Sequence, residues 1–184
     1  TEINEVNSAR YYVKGCGTQT AGMISGGYST SNLALTETWD GTSWTEVSDL
    51  NTAGYGLQVS GVQTSALASA GNGRLALNEQ WDGSSWTEVG DLNTPRSATA
   101  GAGTVTQALV FTGYNPPASG TIDNNEVWNG TSWTEINDLS TARDATAAAG
   151  SSVSTFAAGN ETGGVQSATE EFTADAALST VTVS

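Results

Sequence analysis

The stretch WDGTSWTEVSDLNTAG, residues 39–54, returns as WDGSSWTEVGDLNTPR at 81–96 and as WNGTSWTEINDLSTAR at 128–143. One sentence written three times in 184 residues makes repetition the organising fact, so the fold has to be built from similar units in series. The second half of the sentence also opens the chain as TEINEVNSAR, which gives four starts at Thr1, Thr45, Thr87 and Thr134, spaced by 44, 42 and 47 residues. A second marker ends at Gly27, Gly71, Gly113 and Gly159, and an aromatic stop follows at Trp39, Trp81, Trp128 and Phe172. The spacing varies mainly between glycine and aromatic, where a loop must lie.

Periods of 40 to 50 residues holding several short β-like runs are the mark of propeller blades, each a four-stranded antiparallel sheet that cannot bury both faces alone. In the third unit the strands read ATAGAGT from Ala98, QALVFTG from Gln107, a third ending NEVW at Trp128, and SWTEIND from Ser132. The Asp-Gly or Asn-Gly between the last two supplies the positive φ of a tight hairpin, and its flanking Trp residues pack on one another. The Ala- and Gly-rich first strands suit a crowded axis. No i, i+3, i+4 apolar stripe supports a helical solenoid. The expected fold is therefore all-β, a single propeller domain over 1–184 with units near 1–44, 45–86, 87–133 and 134–184. Four visible blades either close a small ring or form part of a larger one. TEINEV reads as an unpartnered fourth strand, and LSTVTVS from Leu178 competes for the same place.

Composition excludes several function classes. A net charge of −14 opposes nucleic acid and anionic lipid as partners. No run approaches the length of a membrane-spanning helix. The absence of His and the single Cys16 remove His-dependent triads, His-based metal sites and an internal disulfide framework. Neither a cofactor nor a metal is expected.

With these residues in place, the chain resembles the kelch family of β-propellers: a Gly closing the second strand, an aromatic closing the third, a Trp opening the fourth, and a small-Arg pair before the next blade. The wording is also similar to kelch-type repeats in bacteriophage tail or virion-surface proteins and in secreted bacterial proteins. The resemblance implies a ring of Arg side chains at the channel mouth, here Arg10, Arg96 and Arg143 with Gly54 at the fourth position, able to grip an acidic ligand. The competing reading pairs each Arg with a neighbouring acid, Glu5, Asp49, Asp91 or Asp138.

The loops between second and third strands differ in every unit, and they place Tyr28, Tyr114, Asn115 and Asn160 on one face as further candidate ligand contacts. Glu2, Glu46, Glu88 and Glu135, and likewise Glu37, Glu79, Glu126 and Glu170, recur on every unit and read as a solvated rim, not as the single asymmetric pair that glycoside hydrolysis requires. Asp123, Asn124, Asn125 and Glu126 form an oxygen cluster without the spacing of a calcium loop. The sequence is thus read as a non-enzymatic adhesion or receptor-binding module, extracellular or on a virion surface. Its partner would be a cell-surface glycan or protein. The alternatives are a purely structural, self-assembling filament or capsid decoration that packs with other virion proteins, and a carbohydrate-active enzyme.

Overall fold

The computed structural model describes residues 3–73, 76–115, 120–144, 146–159 and 169–173. It is all β, with four small antiparallel sheets set around a common axis as the blades of a propeller. Blade 1 runs β1 (Lys14–Thr18), β2 (Ala21–Ser25), β3 (Thr36–Trp39) and β4 (Trp44–Val47). Blade 2 runs β5 (Gln58–Val62), β6 (Ser65–Ser69), β7 (Asn78–Trp81) and β8 (Trp86–Val89). Blade 3 takes β9 (Ala100–Gly103), β10 (Ala108–Phe111), β13 (Asn125–Trp128) and β14 (Trp133–Ile136). Its long loop folds into a small extra hairpin of β11 (Tyr114–Asn115) and β12 (Gly120–Thr121). Among the described residues blade 4 has three strands, β15 (Ala147–Gly150), β16 (Ser154–Ala158) and β17 (Thr169–Thr173).

The repeated hairpin shows why its sequence recurs. Trp39 pairs directly with Trp44, Trp81 with Trp86 and Trp128 with Trp133, each with ring centroids 5.4 Å apart. Between them the glycine takes the positive φ, +97° at Gly41, +99° at Gly83 and +96° at Gly130. The residue before it closes the turn by side chain: Asp40 Oδ1 accepts from the Thr42 and Ser43 N–H groups at 2.8 Å. Asp82 and Asn129 do the same in their blades.

Packing between blades forms the core. Met23 of blade 1 meets Val59, Ala66, Ala68 and Trp81 of blade 2, and Leu67 of blade 2 meets Ala108, Val110 and Trp128 of blade 3. Leu109 and Phe111 of blade 3 meet Ala148, Ala157 and Phe172 of blade 4. Burying each large apolar side chain contributes on the order of 2–3 kcal/mol, so interfaces between sheets, and not single sheets, hold the domain together.

Two sequence expectations need correction. Residues Ile3–Val6 form no strand; the segment instead lies along blade 1, with Asn4 Nδ2 donating to Thr42 O. Gly159 aligns with Thr112, not with Gly113, because Gly150 pairs with Thr155 as Gly103 pairs with Ala108. LSTVTVS lies outside the described residues.

Candidate functional site

The three arginines go to the gaps between blades instead of the mouth. Arg96 is fully buried, and its Nη2 donates to Glu126 Oε1 at 2.7 Å while Nη1 donates to Asn124 O. Arg10 pairs with Glu37 and Arg143 with Glu170 in the same way. Buried in this way, the three guanidiniums are closed to a ligand arriving from solvent. The ion pairs anticipated from sequence do form, but with third-strand glutamates and not with Glu5, Asp49, Asp91 or Asp138.

Of the two recurring glutamate sets expected as a solvated rim, only the fourth-strand set is one. Glu37, Glu79 and Glu126 are buried, whereas Glu46, Glu88 and Glu135 on the fourth strands are exposed. Each buried carboxylate collects the chain crossing from the preceding blade. Glu126 accepts from the Asn93 and Thr94 N–H groups and from Asn93 Nδ2, and Glu79 does so from Asn51 and Thr52. Burial pushes the Glu37 carboxyl upward, but donors from Arg10, Asn7 and Ser8 outweigh it and hold the group below the ordinary carboxylate range. Burial also lowers the Arg96 guanidinium, against the pull of Glu126. Within the oxygen cluster at 123–126, the Asn124 carbonyl and the Glu126 carboxylate are taken up by this clamp, and Asn125 Nδ2 donates to Asn137 O. Among the described residues no three Cys, Asp or Glu side chains gather as a metal set.

The mouth of the channel is built from different positions. In blades 1 to 3 the residue after the Arg or Gly forms a two-way backbone bridge with the residue after the second-strand glycine: Tyr11 with Tyr28, Tyr55 with Asn72, and Ser97 with Tyr114. The next residue turns left-handed, at φ +57° in Tyr12, +61° in Gly56 and +52° in Ala98. Non-glycine residues in this region are strained, a condition concentrated at functional sites. These bridges and turns aim side chains over the axis.

There Tyr12, Tyr55 and Tyr114 line a cavity of about 430 Å³ with Lys14, Asn72, Ser97 and Asp144. Tyr12 stacks on Tyr55 at 5.4 Å and 23°, and Tyr28 meets Tyr55 edge-on at 5.2 Å. Tyr11 closes the group against Tyr12 and Tyr28. Below, the four inner strands surround a second cavity of about 630 Å³, lined largely by Gly and Ala, into which Lys14 also faces.

Of the residues anticipated from sequence, Tyr114 lines the mouth and Tyr28 braces it, Asn115 sits beside it in β11, and Asn160 lies outside the described residues. Tyr12, Lys14, Tyr55, Asn72, Ser97 and Asp144 were missed. The signal was present: at the two positions after each Arg or Gly, and at the one after each second-strand glycine, side chains change from blade to blade while their surroundings repeat.

The fold and site together define a four-bladed propeller with an aromatic, polar-rimmed mouth. No family model and no curated protein sequence matches this chain.

Proposed function

We propose that this protein is a non-enzymatic binding module that holds a carbohydrate at the tyrosine-lined mouth, and that it is displayed outside the cell or on a virion surface. One observation carries the reading: Tyr12, Tyr55 and Tyr114 share a cavity of about 430 Å³ with Asn72, Ser97, Asp144 and Lys14. Binding pockets of small ligands typically combine apolar walls with a few placed polar groups. A sugar ring offers both a C–H face that packs on tyrosine and hydroxyls that pair with Asn, Ser and Asp side chains. The repeat makes the mouth asymmetric, since each blade contributes a different residue at equivalent places, and a recognition site needs that asymmetry. Glu79 and Glu126 are held by the inter-blade clamp, which argues against these buried glutamates as the acid pair of a glycoside hydrolase. Blades rich in Thr, Ser, Gly and Asn, and the kelch-like wording, support the exposed location.

The test is a glycan array, followed by calorimetry on the best hit with Tyr12→Ala and Tyr55→Ser. These substitutions copy residues found at equivalent positions, Ala98 and Ser97, so the fold is retained. Affinity should fall at least about 10-fold in each. Binding that ignores both changes, or no binding to any glycan, overturns the proposal.

A further inference from the structure

The propeller has one seam unlike its other interfaces. β1 packs beside β5, β5 beside β9 and β9 beside β15, but no comparable packing joins β15 to β1. The effect is visible at one repeat position. Met23, Leu67 and Leu109 occupy the centre of their sheets at 1, 0 and 0% exposure, each covered by the next blade, while Phe156 at the same register is 40% exposed. Ala147 and Ala149 beside it are exposed too. The matching face of blade 1 is less covered than its equivalents. Ile24 and Trp44 are half-buried, whereas their counterparts Ala68 and Val110, and Trp86 and Trp133, are buried.

We infer that this seam is a self-docking surface, on which the Phe156 face of blade 4 receives the tryptophan face of blade 1 from a second copy of this chain. The internal interfaces show what covers each face: in two of the three, the sheet-centre residue clusters with two residues of the following blade's second strand, and in the third Leu109 clusters with Ala157 of that strand. Met23 seats on Ala66 and Ala68, and Leu67 on Ala108 and Val110. The corresponding seat on blade 1 is Gly22 and Ile24. A glycine in the seat makes room for a ring larger than Met or Leu, so the two free faces are matched in volume as well as in pattern. Each copy carries one face of each kind, so the contact is head-to-tail and satisfies both faces only in a ring or a growing chain. This inference stands on the fold and is independent of the carbohydrate reading.

Sedimentation equilibrium of the full chain, from about 1 to 300 μM, tests it. The weight-average mass should rise with concentration to at least twice that of one chain. Phe156→Glu spoils one face, and Gly22→Val fills the seat of the other, where an added Cβ meets nothing nearer than 3.6 Å within its own chain. Each variant alone should stay monomeric with an unchanged near-UV circular dichroism spectrum. Mixed, they retain one good face of each kind and should form a 1:1 dimer that grows no further. A wild-type chain that remains monomeric throughout, including one that closes the seam on itself, overturns the proposal. So does association that survives Phe156→Glu, or a mixture that stays monomeric.

Discussion

The Arg96 guanidinium and the Glu126 carboxylate meet at 2.7 Å with neither side chain exposed to solvent. They join the segment leaving blade 2 to the third strand of blade 3, and Asn93 and Thr94 complete the same carboxylate. Removing one member strands a buried charge, which typically costs about 3–5 kcal/mol. Glu126→Gln should therefore lower the urea midpoint strongly. Arg96→Met with Glu126→Gln should cost less than the two single changes added together, measured as a double-mutant cycle.

The hairpin aspartates make stability depend on acid. Ser43 and Thr42 hold the Asp40 carboxyl down at about 2, and Ser85 and Ser84 hold Asp82 there as well, both against an ordinary value of 3.8. A carboxyl whose folded pKa is depressed contributes fully above its unfolded pKa and loses that contribution as pH falls through the folded one. Stability should thus decline between about pH 4 and pH 2, together with the contribution from Glu37, whose carboxyl is also held low. Asn129 makes the same turn without a charge. Asp40→Asn with Asp82→Asn should keep the fold and flatten this decline in thermal melts recorded across the range.

Ala98 sits at φ +52°, where its counterpart in blade 2 is Gly56 at +61°. An L-residue in the left-handed region carries about 1–2 kcal/mol of strain, partly offset by the unfolded-state entropy that glycine adds. Ala98→Gly should raise stability by about 0.5–1 kcal/mol, read as a higher urea midpoint at constant slope. Tyr12, strained at the same place, is expected to gain similar stability as Gly and to lose the ligand.

Burial pushes the Cys16 thiol up to about 11, and the residue packs against the Met23 core beside the axial channel. The thiolate is the reactive form, so at pH 8 alkylation should run about 100-fold slower than in a free cysteine. The rate should climb with pH toward 11. A fast reaction at neutral pH would contradict the placement.

Most of the architecture was legible because it is local and repeated. The Trp-Asp-Gly hairpins, the order of strands and the small inner strands each depend on residues within about ten positions of one another. The clamp was half legible. The recurrence of Arg and Glu was plain, but no spacing indicates that Arg96 reaches Glu126 thirty residues on and not Asp91 five residues back. Burial was misjudged for the same reason, since Glu126 and Glu135 look alike in sequence and pair directly across β13 and β14 on one sheet face, and only the place of their strands in the blade separates the buried carboxylate from the exposed one. Register also escaped the reading in blade 4, where one missing residue moves Gly159 to the place of Thr112.

A repeat protein of four β-units with tryptophan-flanked turns follows from the residue order alone, because a pattern written several times constrains every copy at once. The proposed recognition and assembly surfaces, by contrast, arise from the arrangement of the blades around one axis. Tyr12, Tyr55 and Tyr114 lie up to a hundred residues apart, and bending the blades around one axis brings them over the same cavity. The same arrangement leaves Phe156 uncovered while burying its equivalents, a difference set by a residue's neighbours in the ring and absent from its neighbours in the chain.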